Sequence, residues 1–286
     1  MTDLALLSQR LLNTPLALHP RKAEIVISAL AERMGITRIQ AGQGWEYEED
    51  DTFTRPGRTC GYDILEGIAV IPVYGTLVHR LGFLRPYSGM TGYDGIRQNF
   101  LTALNDPDVR GICLDIDSPG GEVAGCFDLV DTLWRSRGKK PVHAVLSESA
   151  YSAAYAIASA ADRISVPRTG GVGSIGAVYI HCDFSQKLKG EGLNVTIIRS
   201  APRKMETSQM QPLSDEALAC VQEGVDSVAE LFINTVSRNR GINAEGIRAL
   251  EARTLLAEEG VVAGLADVVA SPDEAFLTLL KEVNSQ

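Results

Sequence analysis

The stretch ESAYSAAYAIASAA, residues 148–161, sets three serines among small residues, with its one charge at the start. A buried helix uses such serines as small packing residues. A hydrolase uses one of them as a nucleophile at a helix start, with its hydroxyl at the carboxyl edge of a sheet, where open α/β folds build their sites. Ser147, Ser149, Ser152 and Ser159 compete for that role; Ser159, well inside the helical run, is expected to pack.

Three further segments carry residues of the right kind. DSPGG (117–121) reads as a strand-to-helix turn. Its glycines let backbone approach a ligand, and the N–H groups of a following helix start can hold an oxyanion. No G-K-[ST] follows, so it is not a phosphate loop. TGGVGSIGAV (169–178) is a Gly-rich turn whose only internal hydroxyl is Ser174. RSAPRKMETSQMQPLSDE (199–216) carries one lysine, Lys204, after the predicted strand NVTIIRS. Taken singly, each has a plain reading: a βα turn, packing residues, a tight loop, a solvated lysine.

The elements that must position these residues follow from periodicity. GIAVIPVYGTLV (67–78), GICLDID (111–117), PVHAVLSES (141–149), DRISVP (162–167) and GAVYIHCDF (176–184) are predicted strands. TGYDGIRQNFLTALNDP (91–107) and EVAGCFDLVDTLWRSRG (122–138) have helical spacing between them. Such alternation means βαβ units and a parallel sheet covered on both faces, an α/β fold. A long amphipathic helix is predicted over 213–241, and the chain closes with helix, strand and helix. Nearer the N-terminus AEIVISALAERMG predicts a helix ended by Gly35, and 42–61, acidic and polar, a linker. The expected organisation is an N-terminal helical extension and acidic linker over 1–58 and one domain over 59–286.

Composition narrows the classes. The chain has 286 residues, a net charge of −9, 45% hydrophobic and 22% charged residues, as an ordinary globular protein does. The acidic balance argues against a nucleic-acid partner. Five cysteines, odd in number and without C-x-x-C spacing, point to a reducing compartment, and four scattered histidines to no metal site. The N-terminus does not read as a secretory signal, and no window approaches the roughly 20 apolar residues of a membrane span, so no membrane partner and a cytoplasmic location are expected.

Taken together and in order, IDSPGG, AYSAAY, VGSIGAV and SAPRK resemble the S49 family of serine peptidases, the signal-peptide-peptidase-A-like family with the ClpP/crotonase fold. The closing TLLAEEGVVAGLADVVASPDEA is similar to that family's last segment, and the resemblance covers about 60–270. RPYSGMTGYDGI (85–96) and NTPLALHPRKAEIVISALAERMGI resemble more narrowly the head-maturation (capsid assembly) proteases of lambda-like tailed phages.

The resemblance implies a spiral of ββα units and a Ser/Lys dyad needing no metal or cofactor. Carried over by position, Ser152 is the nucleophile, Lys204 the general base, and Ser174 the hydroxyl that fixes the amine. The N–H groups of Gly121 or Gly120 and of Ala153 form the oxyanion hole. The lysine must be desolvated, with Glu206 pointing away. His143 and His181 are discounted as bases, since neither falls at a family position and no carboxylate is identifiably placed to orient either. Ser-Ala-Ala at the nucleophile departs from the Ser-Gly-Gly of many relatives and could narrow the pocket. The implied partners are a protein or peptide substrate, such as portal, scaffold or minor capsid proteins, and further copies of the chain in a homo-oligomer. The implied place is the host cytoplasm or the immature phage head. An inactive S49-like assembly component and a crotonase-like acyl-CoA enzyme are the competing readings.

Overall fold

The computed structural model describes residues 13–19, 22 and 60–285; the predicted helix 23–35 and the acidic segment up to 59 lie outside them. Eleven strands join one sheet. They are β1 (Pro15–Leu18), β2 (Asp63–Leu65), β3 (Ile68–Val78), β4 (Met90–Gly92), β5 (Gly111–Glu122), β6 (Val142–Tyr151), β7 (Arg163–Val166), β8 (Gly171–Gly173), β9 (Val178–Tyr179), β10 (Thr254–Leu256) and β11 (Val268–Val269). The helices among the described residues are α1 (Tyr93–Asn105), α2 (Cys126–Trp134), α3 (Ala153–Ser159), α4 (Ser185–Gly190), α5 (Asp215–Arg240), α6 (Ala244–Arg248), α7 (Ala257–Val262) and α8 (Pro272–Asn284).

The centre of the sheet is parallel: β3 pairs β5, β5 pairs β6, and β6 pairs β7 along its first half and β8 along its second. Among the described residues, β2–β3, β1–β5, β1–β9 and β8–β10 are the antiparallel strand pairs. The expected α/β class with a largely parallel sheet is observed.

Alternation along the strands sends two sets of side chains to opposite faces. Ile112, Leu114 and Ile116 of β5 join Ala144 and Leu146 of β6 in the large core, with α1, α2, α3 and α5. Cys113 and Val145 point the other way and meet Ala275, Leu279 and Val283 of α8. Past the reach of α8 the same face turns polar, and Asp115 accepts from Tyr74 and Ser147.

Every residue of α3 is buried, which explains the small residues of AAYAIAS: the helix lies between the sheet, α2 and α5, where long side chains have no room. Ser159 packs there as expected, donating to the Ala156 carbonyl (2.6 Å) and accepting from Asn239 (2.9 Å). Arg137 closes the end of α3 by donating to the carbonyls of Ser159, Ala160 and Ala161.

One buried imidazole makes stability sensitive to acid. His143 on β6 is 2% exposed, with Nε2 3.0 Å from Glu282 Oε2 of α8 and Nδ1 without a partner. Burial holds it below its ordinary value, against the opposing pull of Glu282. The unfolded chain takes up this proton near pH 6.5 and the folded chain only lower, so stability is full above about 6.5 and falls as pH drops through the lower folded value. Melting temperature is expected to fall between pH 7 and 5 more steeply in the wild type than in His143→Gln; equal slopes would assign the loss to other groups.

Candidate active site

β6 ends at Tyr151 and α3 begins at Ala153, so the whole reversal falls on Ser152. Its φ of 54° and ψ of −121° lie where non-glycine residues are rare, a conformation that costs about 1–3 kcal/mol. Two backbone bonds hold it: its N–H donates to the Gly173 carbonyl (2.8 Å), and its carbonyl accepts from Ala156 (2.9 Å).

A serine at a helix start is ordinarily a cap, with extended backbone and a side chain that accepts from the first turn. Ser214 and Ser271 are such caps, accepting from the N–H groups of Ala217 and Glu274. Ser152 makes no cap bond, and among the described residues its hydroxyl has no hydrogen bond at all. The residue is nonetheless 1% exposed. A hydroxyl left unspent at a strained, buried junction is free for chemistry.

Gly120 lies directly against it. A Cβ there would stand 3.0 Å from Ser152 Cβ and from the Tyr151 carbonyl, and would collide with the Ala17 carbonyl. Its φ of +99° also requires glycine. DSPGG is thus not a turn into a helix, which corrects the sequence reading: β5 runs extended through it to Glu122, and α2 starts only at Cys126. The cause is pairing on both sides, with Thr76 and Leu77 of β3 and with Ala17 and Leu18 of β1. Any Cβ on Gly121 would run into the Leu77 carbonyl. Gly121→Ala is therefore expected to push β5 away from β3, lowering the melting temperature by several degrees and reducing any activity at Ser152 by more than tenfold. An unchanged melting temperature would show that the edge yields.

Of the expected oxyanion donors, Gly120 N–H already donates to Ser118 Oγ (3.1 Å). Ala153, first residue of α3, has no intrahelical acceptor for its N–H. Cys126 also reaches this region, its thiol donating to the Ala153 carbonyl at 3.8 Å. Burial pushes that thiol up to about 12, so it stays protonated and is no rival nucleophile.

Ser174 sits beside the junction because β6 and β8 run parallel with Tyr151 opposite Gly173; the next residue of each strand is Ser152 and Ser174. Ser174 too has a positive φ, 55°, is 6% exposed, and donates its N–H to the Arg253 carbonyl (3.1 Å). The structure therefore gathers Ser152, Ser174, Gly120, Gly121 and Ala153.

Lys204 is not joined to them by any hydrogen bond. It is exposed, on a turn closed by its N–H to the Ala201 carbonyl (3.0 Å), and its amine has no partner among the described residues. The Glu206 carboxylate lies 3.9 Å from Arg203. The predicted strand NVTIIRS before this turn is not formed. Its β-prone side chains find no partner strand among the described residues, and Ile198 is 95% exposed. Of GAVYIHCDF only Val178–Tyr179 is strand.

The histidines lie elsewhere. His143 does have a carboxylate, Glu282, contrary to expectation, but it sits on the first half of β6, nine residues before Ser152. His181 meets the Asn13 side chain at 3.2 Å. No group of three or more His, Cys, Asp or Glu with metal-holding geometry occurs among the described residues. No helix among them is long and apolar enough to cross a membrane. Sequence reasoning missed β1, whose Ala17 carbonyl stands at Gly120; four residues, three of them buried, give too short a pattern to find.

An unspent serine on a strained strand-to-helix junction, set against a glycine edge, is the geometry of acyl-transfer enzymes. Comparison with known proteins supplies the family. The model of peptidase family S49 matches residues 135–286, and this chain belongs to that family. It is 38% identical over 284 residues to the head-tail preconnector protein GP5 of Enterobacteria phage P21, covering 96% of this chain and 56% of that protein. It is 36% identical over 279 residues to the capsid assembly protease C of Escherichia phage lambda, covering 93% of this chain and 63% of that one. A putative signal peptide peptidase SppA of Enterococcus faecium is 27% identical over 191 residues, 65% of this chain and 56% of that protein. The chain thus spans little more than half the length of these relatives.

Proposed function

We propose that this chain is a serine endopeptidase that works as a homo-oligomer on proteins of the phage head. One observation carries the reading: the Ser152 hydroxyl, without a hydrogen bond among the described residues, lies at a strained junction beside Gly120 and Ser174. The names of the P21 and lambda relatives support capsid or connector proteins as substrates, and hence action in the host cytoplasm or inside the immature head. We assign the ClpP/crotonase-like spiral, and residues 59–286 as the peptidase domain, on the same kinship.

The Ser152 Oγ attacks the scissile carbonyl while the Lys204 amine takes its proton. The tetrahedral oxyanion is met by the N–H groups of Ala153 and of a β5 glycine, Gly120 or Gly121; Gly120 N–H now donates to Ser118, and Gly121 is paired with Ala17 of β1. Lys204 returns the proton to the leaving amine, and water resolves the acyl-enzyme. Ser174, beside Ser152, holds the amine in line.

Lys204 works as a base only as the free amine, a form that removal from water favours. In one chain it stands in solvent. A neighbouring subunit supplies the missing cover, and the bare Leu193, Val195, Ile198, Met205 and Met210 around the turn are the surface it covers. Peptidase activity per subunit is expected to collapse as the enzyme is diluted through dissociation. Activity proportional to concentration throughout would refute the oligomeric requirement.

A further inference from the structure

β1 pairs with the end of β5 that lies beside Ser152. Leu16, Ala17 and Leu18 pair antiparallel with Glu122, Gly121 and Gly120. Just beyond, His19 N–H donates to the Pro119 carbonyl (2.8 Å), and on the other side Pro15 and Leu16 pair with Tyr179 and Val178 of β9. The three central side chains are buried, at 1%, 0% and 4% exposure. Upstream, Asn13 donates its N–H to the Ile180 carbonyl (3.0 Å) and its Nδ2 to the Thr207 carbonyl (3.1 Å), in the turn that carries Lys204.

The segment therefore runs from the lysine turn to the glycine edge, main chain against main chain. Its Ala17 carbonyl abuts the point, beside Gly120, that is 3.0 Å from Ser152 Cβ. This is how an extended peptide adds to an exposed strand: backbone bonds give the affinity and alternate side chains the selectivity. Any extended peptide with aliphatic groups at the Leu16 and Leu18 positions would satisfy the same bonds. A tethered segment also competes at millimolar effective concentration.

We infer that Pro15–Leu18 is a resident stand-in for substrate: it occupies the peptide-docking edge, and an external aliphatic peptide must displace it to reach Ser152. The regulatory part rests on the reading of Ser152 as nucleophile; the docking part does not.

The test separates the two. In a Ser152→Ala background, Leu16→Asp with Leu18→Asp expels the strand, and a fluorescent peptide of sequence TPLALH is titrated by anisotropy. With the edge at least nine-tenths occupied in the parent, affinity is expected to rise about tenfold or more. Equal or weaker binding to a folded variant would overturn the inference. Should the variant not fold, excess peptide added to the Ser152→Ala chain must accelerate amide exchange at residues 16–18; unchanged exchange would overturn it equally. With Ser152 present, the released chain should hydrolyse TPLALH-containing peptides about tenfold faster than its parent. Tighter binding without hydrolysis would keep the docking edge and refute the nucleophile.

Discussion

Ser152→Ala is expected to remove at least about 10⁴-fold of peptide hydrolysis, the scale on which losing a covalent nucleophile acts. The fold should not suffer, because among the described residues the hydroxyl makes no bond that alanine would break. Ser152→Gly sharpens the point. Glycine adopts a φ of 54° without strain, so this variant is expected to be as dead as the alanine one yet to keep or raise the melting temperature. Residual hydrolysis above a hundredth of wild type in either would place the nucleophile elsewhere. A large loss of stability in both would mean that Ser152 is a structural residue.

The second large effect concerns Lys204. Lys204→Ala is expected to be as inactive as the serine variant, although the side chain is exposed and makes no hydrogen bond among the described residues. If the base reaches the serine of a neighbouring subunit, mixing the two dead variants restores activity: random assortment in a symmetric ring gives about a quarter of the interfaces an intact Ser152 and an intact Lys204. If the two residues act within one chain, the mixture stays dead. Measuring hydrolysis after dissociating and reassembling the variants together, and each alone, decides between these. An active Lys204→Ala would remove the lysine from the mechanism.

Most of the frame was legible because it rests on local pattern. The apolar runs around Ile71, Leu114, Leu146 and Ile164 are strands, and the long helix to Arg240 begins at the Ser214 cap and ends at Gly241, as its sequence signals. What failed depends on partners distant in sequence. DSPGG looks like a turn, but Leu77 and Ala17 on either side draw it into β5. NVTIIRS has strand propensity but joins no edge among the described residues. Propensity alone is a weak guide where pairing decides.

The same division runs through the site. Four serines could not be separated by type, and resemblance alone singled out Ser152; the backbone supplies the physical reason. Ser147 is spent on Asp115 and Ser159 on Ala156, whereas Ser152 is bent into a conformation that leaves its hydroxyl free. The N-terminal strand was invisible because its meaning lies wholly in what it pairs with.

The most direct test is intact-mass analysis after treatment with a small fluorophosphonate, on the wild type and on Lys204→Ala. The expected result is a single adduct, mapped to Ser152, that is lost in the lysine variant: an assembled and activated serine. No adduct in a well-folded oligomer, or an adduct on another residue, would contradict the assignment of Ser152 and Lys204 as a working pair.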